Sequence, residues 1–303
     1  MNQDLWNQLC AIVGSKNVYT NEPMKKHTTF RIGGPADYYV IPESESQIAA
    51  AVKVCRAIGE PYYILGNGSN LLVGDKGYRG VILQIFKNYN RITVNSQEMK
   101  VQAGALLSKA AKTALDYGLS GLEFAAGIPG TVGGAAVMNA GAYGGEIKDV
   151  LESVTVLTRQ GDILTLSRAE LEMGYRTSII EKKKYIVLET RLILQKKTKE
   201  EISARMETLK EQRTGKQPLE YPSAGSTFKR PQGHFAGKLI MDSGLRGFSV
   251  GGAQVSEKHC GFVINKGDAT AEDVRNLMNE VIKRVAEKFE ITLEPEVKML
   301  GEF

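Results

Sequence analysis

Gly127-Ile-Pro-Gly-Thr-Val-Gly-Gly134, followed by Asn139-Ala-Gly-Ala-Tyr-Gly-Gly145, is the stretch that decides the reading of this chain. No charged side chain interrupts residues 127–145. Glycine allows positive φ and lets the backbone approach another molecule closely. A loop of this kind presents N–H groups to an anion such as a pyrophosphate. A second loop, Gly66-Asn-Gly-Ser-Asn70, lies between the apolar runs Tyr62–Leu65 and Leu71–Val73. Each loop alone also fits a tight turn at a strand end. Together they point to a protein wrapped around a dinucleotide. Neither has the GxGxxG spacing with an acidic residue about 20 positions on, and no GxxxxGK[ST] is present, so Rossmann and P-loop chemistry are unsupported.

Working outward, 303 residues predict two or three domains. The net charge of +5 comes from 39 basic and 34 acidic residues spread along the chain. That suits an anionic ligand. It does not suit nucleic acid, because no basic block is interleaved with aromatics. Cys10, Cys55 and Cys260 form no CxxC and predict free thiols in a reducing cytosol. The opening residues carry Asp4 and no apolar core, so no secretory signal is expected there. No run approaches the roughly 18 apolar residues of a membrane span. His27, His234 and His259 are far apart, and no metal motif is expected.

Residues 44–58 read as a helix with Ile48, Val52, Cys55 and Ile58 on one stripe, which makes Cys55 a core residue. This helix and its flanking short strands predict an α/β segment. From Gly80 the pattern becomes strand-rich: 81–85, 91–94, 100–103, then a helix over 106–117. A hairpin of 154–157 with 163–166 turns at Gln160-Gly-Asp162, and 185–188 and 191–194 read as two further strands. Residues 196–215 predict an exposed, charge-rich connector helix. The last hundred residues hold a short strand over 261–264 and a helix capped by Thr270, with Asp273 completing a capping box.

Three further islands carry residues that the local pattern does not require: Gly174-Tyr-Arg-Thr-Ser178, Pro222-Ser-Ala-Gly-Ser-Thr-Phe-Lys-Arg-Pro231 and Leu293-Glu-Pro-Glu-Val297. Singly, Arg176, Ser226 and Glu296 are ordinary surface or turn residues. With Thr28-Thr-Phe-Arg-Ile-Gly-Gly34 and the two glycine loops they make six islands in order. In these the chain resembles the bacterial UDP-N-acetylenolpyruvoylglucosamine reductases, over its whole length. It is similar to the shorter of the family's two forms, since Arg176 runs through Lys182-Lys-Lys184 into the next strand without an inserted Tyr loop.

The resemblance implies an α+β protein. Two subdomains, residues 1–80 and 81–197, form the FAD-binding fold of the PCMH/vanillyl-alcohol-oxidase type, and 198–303 form the α+β substrate domain. It implies noncovalent FAD held by Arg31, by Gly66, Asn67, Gly68, Ser69 and Asn70, by Gly127, Ile128, Pro129, Gly130, Thr131, Gly133 and Gly134, and by Asn139. NADPH is the implied reductant. Hydride passes through the flavin to C3 of the enolpyruvyl group. Arg176 stabilises the developing enolate, since a guanidinium fork suits a carboxylate. Glu296 assists as a protonated acid. Ser226 supplies the proton to C2. Tyr175, Lys216, Arg230, Arg246 and His259 are implied to face the UDP-sugar. Two other readings stand beside this one: another flavin oxidoreductase or oxidase of the same superfamily, and a nucleotide-sugar sensor without catalysis. Covalent flavin attachment is disfavoured because no His or Cys lies between Gly66 and Gly145.

Overall fold

A computed structural model describes residues 2–303; Met1, the first residue of the expected 1–80 subdomain, lies outside them. The chain divides into two compact units. One is built from Met1–Tyr19, Tyr38–Asn67 and Gly80–Arg213, the other from Thr20–Asp37, Gly68–Arg79 and Thr214–Phe303.

In the first unit, helix α1 (Gln3–Val13) starts where the Asn2 side chain accepts the N–H groups of Asp4 and Leu5, and it buries Leu5, Leu9 and Val13. Helix α2 (Glu45–Ala57) is capped by Ser44 and buries Ile48, Val52 and Cys55, whereas Ile58, expected on the same stripe, is its exposed C-cap, past the last helical turn. Burial, with the nearby Glu60 charge, pushes the Cys55 thiol up to about 12, so it is an inert core residue as expected. Strand Tyr62–Leu65 pairs in parallel with strand Tyr78–Gln84, with Leu65 opposite Gln84.

The strand-rich stretch forms a five-stranded antiparallel sheet ordered Ile163–Ser167, Leu151–Leu157, Ile186–Ile193, Glu98–Gln102, Ile92–Asn95. Residues expected as two strands, 185–188 and 191–194, are one strand, Ile186–Ile193. The polar pair Glu189-Thr190, which lies between those two runs, continues the ladder opposite Thr155 and Val154. Helix α3 (Leu107–Asp116) follows the expected 106–117 segment closely.

Helix α4 (Val132–Met138) rises directly out of the glycine-rich loop, where the sequence reading gave no helix. Its small residues let it lie close to the sheet: a Cβ on Gly133 would stand 2.7 Å from that of Ala103 and 2.9 Å from the Ala103 carbonyl oxygen. Helix α5 (Ile179–Lys183) is short. Helix α6 (Lys199–Lys216) is the expected charged connector, burying Ile202 and Leu209.

The second unit has its own apolar core, in which Phe30, Ile32 and Leu72 join Leu239, Ile240, Val255 and the buried stripe of a long helix. Helix α7 is Ala236–Asp242, and the long helix α8 is Ala271–Phe289. Thr270 and Asp273 form the expected capping box on α8, and Val274, Leu277, Met278, Val281 and Val285 are buried. Strands Ser249–Val250, Ala253–Val255 and Val263–Asn265 form an antiparallel sheet, and Lys298–Leu300 pairs in parallel with Leu71–Val73. Among the described residues, no helix is long and apolar enough to cross a membrane.

Candidate active site

Two stretches expected to cradle a cofactor meet in the first unit. The Asn67 amide donates to the Pro129 carbonyl at 2.6 Å. Gly66 lies so close to Thr131 that a Cβ there would come within 2.6 Å of its hydroxyl. The glycine-rich loop does not offer all its N–H groups outward. Ile128 donates to Ala125, Val132 to Ala105, Gly133 to Ala103 and Gly134 to the Thr131 hydroxyl. Proline has no N–H. That leaves Gly127, Gly130 and Thr131 with N–H groups that find no acceptor among the described residues.

One cation faces this loop that the sequence reading did not single out. The Arg213 side chain, from α6, lies over Gly127: a Cβ at Gly127 would meet its Cδ at 2.8 Å and its Nη1 at 3.2 Å. Burial pulls its guanidinium pKa below the usual range, a pull that nearby Tyr143 opposes, and no carboxylate pairs with it among the described residues. A desolvated guanidinium beside unspent N–H groups fits the diphosphate of a dinucleotide. Its signal was present in the sequence. Ile202, Met206, Leu209 and Arg213 are spaced along one helical stripe, so Arg213 falls on the buried side of a helix read as solvated.

Tyr175 and Arg176 occupy a tight turn in the same unit. Gly174 and Thr177 exchange N–H to carbonyl hydrogen bonds at 3.1 and 3.4 Å, and Arg176 sits at φ 54°, a left-handed conformation costly for a non-glycine residue. The Arg176 guanidinium packs 5.1 Å from the Tyr175 ring centroid and donates to the Gly141 carbonyl at 3.3 Å. Asn139 is fully buried beside this turn. Glu146, bonded to Lys148 and Asn139 and close to the Arg176 charge, is held below the usual carboxylate range.

The second unit holds the other expected residues. Gly68 has φ 62° and stands where a Cβ would come within 2.1 Å of the His27 carbonyl, so only glycine fits. Thr29 and Arg31 belong to the neighbouring turn: Thr29 N–H donates to Gly68, and exposed Arg31 takes φ 56°. Asn70 donates its amide to the Glu296 carbonyl at 3.1 Å. Thr227 connects Ser226 to Glu296. Its carbonyl accepts the Glu296 N–H at 2.8 Å, its buried hydroxyl accepts the Val263 N–H at 2.9 Å, and Phe228 bridges Pro295. The exposed Ser226 and half-buried Glu296 therefore sit on adjoining backbone segments.

Arg230 stacks 4.0 Å over the Phe235 ring and donates to the His234 carbonyl. Arg246 donates to the Glu257 carbonyl at 2.7 Å, and Lys216 is exposed at the end of α6. His259 accepts the Gly261 N–H on Nδ1 at 3.1 Å, which puts the proton of the neutral tautomer on Nε2, and burial lowers the pKa of the ring. Among the described residues, no group of three or more His, Cys, Asp or Glu side chains could hold a metal ion.

Residues 36–167 match the FAD binding domain family, and residues 217–300 match the UDP-N-acetylenolpyruvoylglucosamine reductase C-terminal domain. A UDP-N-acetylenolpyruvoylglucosamine reductase of Agathobacter rectalis is 55% identical, covering 100% of both chains. The crystal structure of the Thermus caldophilus UDP-N-acetylenolpyruvylglucosamine reductase is 39% identical with a TM-score of 0.79, covering 92% of this chain and 97% of that one. An alkyldihydroxyacetonephosphate synthase, 16% identical with a TM-score of 0.51 over 65% of this chain and 41% of its own, shares the fold alone. The chain thus carries the FAD-binding fold followed by the reductase C-terminal domain, and it belongs to the family of the UDP-N-acetylenolpyruvoylglucosamine reductases.

Proposed function

We propose that this flavin-dependent oxidoreductase of peptidoglycan precursor synthesis works in the cytoplasm, using NADPH to convert UDP-N-acetylglucosamine enolpyruvate to UDP-N-acetylmuramate. The FAD-binding part comprises 1–80 and 81–197, and 198–303 binds the substrate. When bound, FAD would supply the hydride chemistry between NADPH and the enolpyruvyl double bond. Everything else falls to side chains. Gly130 and Thr131 N–H groups and the Arg213 guanidinium hold the diphosphate, and Gly66 lets the neighbouring loop pass close to Thr131. Arg31, Ser69 and Asn70 shape the rest of the cradle, while Asn139 spends its amide on Gly174, Glu146 and Lys148.

Hydride addition at C3 places charge on C2 and the adjoining carboxylate. Arg176 presents a planar fork to that carboxylate, which is worth most where charge develops. Glu296, protonated, donates to the same group. Ser226 gives its hydroxyl proton to C2. Serine is a weak acid, but an enolate carbon is basic enough to take its proton. Tyr175, Lys216, Arg230, Arg246 and His259 orient the UDP-sugar, with the arginines suited to its diphosphate.

The observation that carries the assignment is the Thr227 junction, which sets Ser226 and Glu296, the two proposed acids, on adjoining segments. Ser226→Ala tests it. Protonation of C2 has no part in flavin reduction by NADPH, so that half-reaction stays near the wild-type rate. Re-oxidation by the enolpyruvyl substrate slows by about 100- to 10,000-fold. Equal slowing of both half-reactions would make Ser226 structural.

A further inference from the structure

We infer that Asn139 is a positioning residue for Arg176, holding the turn that aims its guanidinium. The inference rests on the reading that Arg176 grips the substrate carboxylate. Asn139 ends α4 at φ 45°, a left-handed position that glycine or asparagine adopts at little cost. Capping the helix needs only that backbone conformation. The side chain does much more. Its Nδ2 donates to the Gly174 carbonyl at 2.9 Å and to Glu146 Oε2 at 3.0 Å, and its Oδ1 accepts the Lys148 N–H at 3.1 Å. Every strong hydrogen-bonding position of the amide's N–H groups is used, and the residue is 0% exposed.

Those partners converge on Arg176. Gly174 opens the turn, and its carbonyl receives the Thr177 N–H at 3.4 Å but the Asn139 amide at 2.9 Å, so the amide is the shorter and firmer hold. On the far side, the Ser178 hydroxyl donates to the Val137 carbonyl at 2.6 Å. Both ends of the strained turn are therefore moored to the last residues of α4. Gly141, whose carbonyl accepts from the Arg176 guanidinium, lies two residues beyond Asn139. Glu146, the second partner of Nδ2, is the carboxylate near Arg176. One buried amide thus fixes the backbone beneath Arg176 and the anion beside it.

Asn139→Gly keeps the left-handed cap and deletes only the side chain, so it isolates this role. In the FAD-loaded enzyme, stopped-flow absorbance should show reduction by NADPH within about twofold of wild type, while re-oxidation by substrate slows about 10- to 100-fold, the scale of an ångström of misplacement. The FAD dissociation constant and the substrate KM should stay within about threefold. Adding Asn139→Gly to Arg176→Lys should cost less than about threefold more, because the group being aimed has already lost its fork. If Asn139→Gly does not accumulate as folded holoenzyme, Asn139→Ser loses the reach to Gly174 and Glu146 without placing a charge beside the Glu146 carboxylate, and it carries the same expectations.

A wild-type re-oxidation rate in Arg176→Lys would end the reading of Arg176, and this inference with it. Slow re-oxidation in Arg176→Lys, combined with any of three results for Asn139, would overturn the inference alone. These are fast re-oxidation in Asn139→Gly, equal slowing of both its half-reactions, and the full factor recurring in the lysine background.

Discussion

Replacing Arg213 with methionine should weaken FAD binding without weakening the fold. The guanidinium lies over Gly127, 3.2 Å at Nη1 from where a Cβ would stand, among loop N–H groups that find no acceptor of their own. A hydrogen bond to a charged group contributes about 1.5–3 kcal/mol. One such bond to the diphosphate therefore corresponds to about 10- to 150-fold in Kd. Methionine keeps much of the side-chain volume against Gly127 and removes the charge. Burial already disfavours that charge and no carboxylate among the described residues compensates it, so the apo-protein should melt at the same temperature or higher. Titrating apo-protein with FAD and following the quenching of flavin fluorescence gives Kd. Riboflavin, which lacks both phosphates, is the control and should bind Arg213→Met as well as wild type. Equal loss for FAD and riboflavin, or an unchanged Kd for FAD, would refute the assignment.

Two further expectations concern the second unit. His259 has its pKa lowered by burial, so the unfolded chain binds the proton more readily, and this group's contribution to stability falls as pH drops through and below about 6.5. His259→Gln removes that contribution; chemical denaturation from pH 7.5 to 5.5 should show the variant gaining on wild type as pH falls, and a constant difference would contradict it. Leu277, 0% exposed in the α8 stripe, should cost about 2–5 kcal/mol when cut to alanine, measured by urea unfolding, and a loss below about 1 kcal/mol would mean that the stripe does not hold this core.

How much of this was legible in the sequence depended on whether a signal was local. Ser44, Thr270 and Asp273 marked helix starts because a cap acts within its own turn. The glycine loops were legible as places that exclude side chains, and Cβ atoms at Gly66 and Gly68 would collide with Thr131 and His27 of the chain itself. Helix α4 was hidden by its glycines, which disfavour helix by propensity yet let it press on Ala103. The single strand Ile186–Ile193 was hidden by Glu189-Thr190, whose place in the ladder is set by strands elsewhere in the chain. Arg213 was missed because its helix is charged nearly throughout, and only the stripe through Ile202 and Leu209 separates it from its neighbours. The hold of Asn139 on Gly174 spans 35 residues and leaves no local trace.

The most direct test of the central claim is an anaerobic titration of the purified yellow protein. NADPH should bleach the flavin absorbance, and stoichiometric UDP-N-acetylglucosamine enolpyruvate added afterwards should restore it in the absence of oxygen, yielding UDP-N-acetylmuramate. A flavin that NADPH reduces but that only oxygen, and not the enolpyruvyl substrate, re-oxidises would contradict the account.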